Sequence, residues 1–224
     1  MSMNTIGFGE PLSQQIYKHI LKKIIEGAIK AGDKIVEEDI SKELNTSRAP
    51  VREALYLLQV DGIVERIPRR GTIVKSFTQS EIEEYNDIMI KLLQAAVDFS
   101  YQKWNEENKL LLSEYIQEVD TECEKKNVID YQLKVDQLLK YVLSIADNKP
   151  LTRFYEESNN ILKVFAQIQW NIRTMENFHS KFNVFSIAML DSDFDKAKMA
   201  IYEALKLGVK WDLLLIHFVD NRQN

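Results

Sequence analysis

The residues that decide the fold lie at positions 44–55 and read LNTSRAPVREAL. Asn45-Thr46 marks a break between two helices, and Ser47 is a residue type that favours the N-cap of a new helix. Pro50 falls in the first turn of that helix, where its missing N–H removes no hydrogen bond. We therefore predict a helix over residues 47–61. At 100° per residue, four of its apolar side chains share one arc and are expected to face a core: Val51, Ala54, Leu55 and Leu58.

The segments on either side of this helix complete a small domain. Apolar residues at helical spacing predict two earlier helices, at about Pro11–Glu26 and Val36–Leu44. After the helix, the β-like segments Ile63–Ile67 and Thr72–Lys75 flank a short basic tip. Three helices followed by a hairpin, in this order, are typical of a winged helix-turn-helix. We place this domain at residues 8–76 and a linker at residues 77–80.

The rest of the chain shows only helical patterns. Thr78 and Glu81 form a capping box that predicts a long helix extending to about Tyr101. Five further helices are predicted, at about Glu106–Lys125, Val128–Ala146, Pro150–Arg173, Met175–Leu190 and Asp193–Phe218. The predicted fold is therefore mainly α: three helices plus a β-hairpin wing, then an all-α bundle of six or so helices at residues 81–220.

Charge is distributed unevenly along the chain. The net charge is −5, yet residues 1–75 hold 12 basic and 10 acidic side chains, whereas residues 76–224 hold 17 and 24. Such asymmetry is expected when one part of a protein meets phosphates and the other does not. The single cysteine, Cys123, excludes an intrachain disulfide. Without a signal-peptide pattern or a run of 18 apolar residues, we expect a cytoplasmic protein with no membrane partner.

Arginines occupy the positions at which a winged helix-turn-helix meets DNA. The major groove admits one α-helix, and the first residues of that helix reach the base edges. Arg48 and Arg52 lie in the first two turns of the helix at 47–61, and an arginine fork donates two hydrogen bonds to guanine or to phosphate. Arg69 and Arg70 lie at the hairpin tip, where they reach the backbone or the minor groove.

The alternative interpretation is that these arginines are ordinary solvated surface charges. Glu53 and Glu65 are then their nearest candidate partners in the sequence. The combination of helix lengths, caps and hairpin, all in the order of a winged helix-turn-helix, favours the DNA-binding interpretation.

Several motifs in this region resemble the signature of the GntR family of transcription regulators. The core of the resemblance is SRAPVREAL at residues 47–55, accompanied by AGDKIVE at 31–37, DGIV at 61–64 and RGTIV at 70–74. The match covers about residues 10–76. Some relatives carry a basic side chain where this chain has Glu38, so we assign no DNA contact to that position.

The resemblance implies a homodimer that binds a pseudo-palindromic operator in double-stranded DNA. It implies that Arg48 and Arg52 contact bases or phosphates, and that Ser47 and Ala49 lie close to the DNA. It also implies that Gly71 shapes the wing.

The helical region resembles the FadR-type (FCD) effector domain. The resemblance rests on DNKPL at residues 147–151 and DFDKA at residues 193–197. In that subfamily, an Asp and three His side chains often bind a divalent metal, which holds a carboxylate effector. His and Asp on facing helices are sound ligands for such an ion.

This chain lacks the histidines of that metal site. Counted from the two motifs, they would fall near Leu139, Phe182 and Ala204. Asp136 is the nearby acid, but the residue four positions later is Lys140. The three histidines of the chain lie in other segments: His19, His179 and His217. We therefore expect no divalent metal and no other cofactor.

Two alternatives remain for the interior of the bundle. In the first, a cavity lined by Asp136, Leu139, Phe182 and Ala204 binds a more hydrophobic effector without a metal, since ligand pockets are mostly apolar with a few polar anchors. In the second, the cavity has filled with side chains and the bundle only dimerises. The three apolar residues also fit an ordinary core.

The sequence therefore predicts a dimeric transcription regulator, either repressor or activator, with a small-molecule effector. The alternative is a winged helix that serves protein contacts or binds DNA architecturally, without an effector. The sequence has no Gly-rich phosphate loop, no supported nucleophile–histidine pair and no metal-ligand cluster, so we do not expect an enzyme.

Overall fold

The computed structural model describes residues 9–209, apart from the side chains at positions 167 and 168. The chain divides into two compact units between Phe77 and Thr78. Residue 8, residue 220, the predicted helix end at Phe218 and His217 lie outside the described residues.

The first unit is a winged helix-turn-helix. Its elements are α1 (Leu12–Ile25), β1 (Lys34–Ile35), α2 (Glu37–Glu43), α3 (Arg48–Val60), β2 (Val64–Ile67) and β3 (Gly71–Val74). The predicted three helices and hairpin are confirmed. The sheet has a third strand that we did not predict, because β1 pairs antiparallel with β3, giving the order β1-β3-β2.

The turn between α2 and α3 orients the second of these helices. Asn45 adopts a left-handed backbone with a φ of 48°, and the amide of Thr46 donates to the carbonyl of Ser41 over 2.9 Å. Ser47 is the N-cap of α3, as predicted, and its side chain makes no capping hydrogen bond. The four predicted core residues of α3 are all buried: Val51, Ala54, Leu55 and Leu58.

The second unit is all-helical over its described length. It consists of α4 (Gln79–Ser100), a short 3-10 turn (Tyr101–Lys103), α5 (Glu106–Glu124), α6 (Val128–Ala146), α7 (Lys149–Gln169), α8 (Ile172–Leu190) and α9 (Phe194–Gly208). The capping box at Thr78 and Glu81 is present. No helix within residues 9–209 combines the length and the apolar character needed to cross a bilayer.

The boundary between α7 and α8 differs from the prediction. We expected a helix to continue to Arg173, but α7 ends at Gln169. Asn171 is instead the N-cap of α8, and its Oδ1 accepts a hydrogen bond from the amide of Thr174 over 2.9 Å. The cap residue, rather than the apolar periodicity, therefore sets the boundary.

Candidate nucleic-acid interface and helical-domain cavity

The start of α3 presents its polar residues to solvent. Ser47, Arg48 and Ala49 are exposed, and so is Arg52 one turn further along. The side chains of Arg48 and Arg52 are 54% and 64% exposed. Because Val51 and its neighbours hold the opposite face in the core, the two guanidinium groups lie on the free side of the helix.

Each of these arginines pairs with a glutamate in the first turn of α2. Nη2 of Arg48 lies 2.7 Å from Oε2 of Glu38, and Nε of Arg52 lies 2.7 Å from Oε2 of Glu37. Glu53 and Glu65, the candidate partners under the alternative interpretation, do not pair with these two arginines, because the crossing of α2 and α3 brings other acids closer.

Besides pairing with the arginines, the two glutamates interact favourably with the dipole of α2, the helix that carries them. Negative charge in the first turn of a helix is favoured by the helix dipole. The pKa of Glu38 is held below its ordinary value, first by a hydrogen bond from Lys42, then by the charges of Lys42 and Arg48. Exposed ion pairs of this kind contribute little to stability, so a phosphate can replace the glutamate.

The wing ends in a tight, basic turn. The amide of Arg70 donates to the carbonyl of Ile67 over 3.1 Å, with Pro68 and Arg69 between them. Arg69 has a φ of 66° and Gly71 a φ of 95°. A positive φ at the third position is typical of a type II turn, which normally carries Gly or Asn there. Arg69 and Arg70 are exposed, and neither has an ion-pair partner within residues 9–209.

The predicted DNA-binding residues thus fall on two surfaces of the first unit. The first surface is the exposed start of α3, which carries Ser47, Arg48, Ala49 and Arg52. The second is the end of the wing, formed by the three predicted residues at 69–71. Sequence reasoning did not find the two acidic partners in α2, since their role depends on how the helices cross.

The second unit contains a cavity of about 100 Å³ between α4, α6, α7, α8 and α9. Of the four residues that we placed at an effector pocket, Asp136 and Leu139 line this cavity. Phe182 and Ala204 do not: both are buried in the hydrophobic core and neither contributes to the lining. Most of the wall is apolar, with five polar side chains: Asn86, Gln132, Asp136, Asn159 and Lys163.

Asp136 is the centre of a charged cluster at one side of the cavity. Its Oδ1 accepts from the hydroxyl of Tyr155 over 2.9 Å and from Nδ2 of Asn159 over 2.6 Å. Its Oδ2 lies 2.7 Å from Nζ of Lys163 and 3.3 Å from Nζ of Lys140. Burial acts to raise the pKa of Asp136, but the two lysines and Tyr155 outweigh burial and hold the pKa below its ordinary value. Asp136 is therefore a paired carboxylate.

The side chains around Asp136 do not fit the divalent metal that the FCD resemblance implies. Leu139, Phe182 and Ala204 offer no ligating atoms. Both oxygens of Asp136 already accept hydrogen bonds from the protein. Within residues 9–209, no group of three His, Cys, Asp or Glu side chains is placed to hold an ion.

Four of the five polar side chains of the cavity escaped sequence reasoning: Asn159 and Lys163, which contact Asp136, and Asn86 and Gln132. Asn86 on α4 is only 1% exposed, and neither atom of its amide has a hydrogen-bond partner within the described residues. Nε2 of Gln132 on α6 is also buried and unpartnered there. The sequence did contain one signal for Asn86: it is a polar residue between Ile82 and Met89 in the apolar stripe of α4.

Comparison with known proteins supports the assignment of the first unit. The family described as "Bacterial regulatory proteins, gntR family" matches residues 12–74. The uncharacterized HTH-type transcriptional regulator YdhC of Bacillus subtilis is 29% identical over 156 residues, which are 68% of each chain. The HTH-type transcriptional repressor RspR of Escherichia coli is 25% identical, over 62% of this chain and 60% of RspR.

Solved structures support the fold of the described residues in both units. E. coli McbR/YncC aligns with a TM-score of 0.75 at 16% identity, over 96% of this chain and 100% of that one. A GntR regulator from Rhodococcus sp. RHA1 aligns with a TM-score of 0.70 at 16% identity, over 88% and 97%.

Together, the exposed arginine-bearing helix and the basic wing define a winged-helix DNA-binding protein. Residues 12–74 match the DNA-binding domain of the gntR family of bacterial regulatory proteins, and the relatives that align over more of the chain are HTH-type transcriptional regulators.

Proposed function

We propose that the chain acts as a homodimer on a pseudo-palindromic operator, as a repressor or an activator, under the control of a small effector bound in the FCD-like helical domain. The observation that carries this proposal is the exposed pair Arg48 and Arg52 at the start of α3. In helix-turn-helix proteins, the start of the recognition helix meets the base edges.

The geometry of such recognition supports dimerisation. One recognition helix reads one major-groove segment, and two protomers read half-sites about 34 Å, one helical turn, apart. The described helices of the second unit also expose large apolar side chains, which are typical of protein interfaces: Ile88, Phe99, Leu110, Ile129, Phe154, Met199 and Tyr202.

Effector control is supported by the cavity in the second unit. A mostly apolar cavity with a few convergent polar groups is the usual form of a ligand site. Of the two alternatives left by the sequence, an open cavity therefore agrees better with the geometry than a filled one.

Binding of the Arg52→Ala variant tests the proposed function. A duplex is first selected from a random-sequence pool by the wild-type protein, and affinity is then measured by fluorescence anisotropy. Losing a bidentate arginine contact costs about 1–3 kcal/mol per half-site, so we expect binding to weaken roughly 30-fold or more in the dimer.

Arg153→Ala is the matched control. Arg153 is an exposed arginine of the second unit that also pairs with a glutamate, Glu157, at 2.8 Å. Undiminished affinity of Arg52→Ala would contradict the proposal. Equal wild-type affinity for selected and random duplexes at the same salt would instead favour an architectural binder.

Half-site spacing tests the dimer. Inserting about 5 base pairs between the half-sites turns one of them to the opposite side of the duplex. We expect this insertion to abolish tight binding and sedimentation to give twice the chain mass. Tight binding that tolerates the insertion would contradict a rigid dimer.

A further inference from the structure

Asn86 is the feature of the cavity that the rest of the protein leaves unexplained. Its side chain is buried in the wall of the cavity, and both its Oδ1 and its Nδ2 lack a partner within residues 9–209. Its neighbours on the inner face of α4, Met89 and Leu93, are apolar. Buried amides are nearly always hydrogen-bonded, so an unpaired one in the wall of a cavity requires a partner inside the cavity, either ordered water or a ligand that displaces it.

The donor and acceptor atoms of the Asn86 amide define the kind of ligand group that can pair with it. On one edge of its amide, Asn86 offers an N–H donor beside the carbonyl acceptor. Gln132, across the cavity wall on α6, adds an unpartnered donor at Nε2. A group that presents an N–H next to a C=O, as a carboxamide or a lactam does, pairs with both atoms of Asn86 at once.

The charges of the cavity favour a neutral ligand. Lys163, the cation in the lining, is already bound to Asp136 at 2.7 Å. The pKa of Asp136 is lowered by its lysine neighbours, although burial opposes them, so this side chain carries a negative charge. A carboxylate ligand would have to enter beside that charge and compete with it for Lys163, which is unfavourable in a mostly apolar cavity.

The size and the walls of the cavity restrict the rest of the ligand. Its enclosed part measures about 100 Å³, and within the described residues it is partly open at one side. This is less than the roughly 150 Å³ of an apolar cavity that holds benzene, so a ligand built on one ring has to extend into the opening. Aromatic and aliphatic side chains line it, among them Trp170, Phe178 and Leu139. A single flat ring suits such walls.

We propose that the cavity binds a small neutral carboxamide or lactam, with its N–H and C=O paired to the side-chain amide of Asn86 and its ring against the aromatic wall. The inference rests on the proposed effector control, of which it names the ligand class. Binding requires no metal, because the anchoring atoms all belong to Asn86 and Gln132.

Isothermal titration of the full chain with four probes tests this inference. 2-Pyridone and benzamide carry the lactam and carboxamide groups, benzoate is the charged isostere of benzamide, and toluene is apolar. We expect 2-pyridone and benzamide to bind, and benzoate and toluene to bind at least about tenfold more weakly, because a charged or unpaired polar group is penalised in a buried site. EDTA should leave these affinities unchanged.

Asn86→Leu tests the anchor without enlarging the cavity. We expect it to weaken binding of 2-pyridone about tenfold or more, while toluene binding is kept or improved. Asn177→Leu, the same substitution at an exposed position of α8 outside the cavity lining, should leave binding unchanged. Leu139→Phe should abolish binding by filling the cavity. Circular dichroism and urea unfolding verify that each variant folds.

The outcomes separate the ligand class from the function. Tighter binding of benzoate, undiminished binding of 2-pyridone to a folded Asn86→Leu variant, or no heat from 2-pyridone and benzamide would each overturn the proposed ligand class. None of these results tests the proposed operator recognition, which is assigned to Arg52 and is measured without a ligand. Conversely, ligand binding by a protein that shows no selective DNA binding would overturn the proposed function and leave the ligand class standing.

Discussion

The glutamates that hold the recognition arginines should restrain DNA binding. Arg52 donates to Glu37 across 2.7 Å in the free protein, and this contact competes with any contact between Arg52 and DNA. Glu37→Gln removes the charge while keeping the shape of the side chain. We therefore expect Glu37→Gln to bind the operator more tightly than the wild type.

The size of this effect follows from the exposure of the pair. The side chains of Arg52 and Glu37 are 64% and 31% exposed. An ion pair of this kind is worth about 0.2–1 kcal/mol, which is given up when Arg52 turns to the DNA. A carboxylate about 8 Å from a phosphate adds a repulsion of about 0.5 kcal/mol in water, and salt screens more than half of it. The total is about 0.5–1 kcal/mol per protomer, so a dimer should bind roughly five- to thirtyfold more tightly.

The assay is operator affinity by fluorescence anisotropy over a range of salt concentrations. Glu43→Gln is the matched control, because Glu43 lies on the same helix and makes a contact of the same length, 2.7 Å, but with Lys23 of α1. It changes the net charge equally, so it separates the loss of the Arg52 partner from a general change in charge. The advantage of Glu37→Gln should shrink as salt rises.

A double-mutant cycle completes this test. In an Arg52→Ala background, Glu37→Gln should lose the part of its effect that arises from the pair. Weaker operator binding by Glu37→Gln would refute the reasoning, since it would mean that Glu37 holds Arg52 ready for DNA rather than competing with it. Equal gains in Glu37→Gln and Glu43→Gln would refute it as well.

Three further predictions concern stability. Asp136→Asn leaves Lys163 without its buried carboxylate and should lower the free energy of unfolding by about 3 kcal/mol in urea titrations; an unchanged midpoint would contradict this. Because the pKa of Asp136 is lowered in the folded state, its stabilisation is present above the ordinary pKa of about 3.9 and is lost as pH falls through the folded value. Below pH 4, the free energy of unfolding should therefore fall more steeply for the wild type than for Asp136→Asn. Arg69→Gly removes a left-handed strain of about 1 kcal/mol and should leave the free energy of unfolding unchanged or up to about 0.5 kcal/mol higher, whereas Arg70→Gly should lower it by about 0.5–1 kcal/mol. Both variants should bind DNA more weakly. A lower stability of Arg69→Gly than of Arg70→Gly would contradict the role of the turn.

The DNA-binding unit was largely predictable because its signals are local. The apolar stripe at Val51, Ala54 and Leu55 repeats at helical spacing, and Asn45 and Pro50 bracket the start of α3. These features depend on residues within a turn or two of each other. The same holds for the capping box that opens α4.

The features that were missed depend on distant partners. Lys34–Ile35 is too short to show a period, and it is a strand only because β3 lies beside it. Glu37 is separated from Arg52 by 15 positions, and their contact depends on the crossing of two helices. Phe182 was assigned to the cavity by counting from a motif, whereas close packing within the bundle places it in the core.

The charge beside Asp136 has a consequence for how the helical domain responds to its surroundings. The positive charge is supplied by two side chains of the protein, Lys163 on α7 and Lys140 on α6, and not by a bound ion. Every folded molecule therefore carries it. A chelator cannot remove this charge, because side chains carry it. Acylation of the amines is the kind of event that would take the charge away.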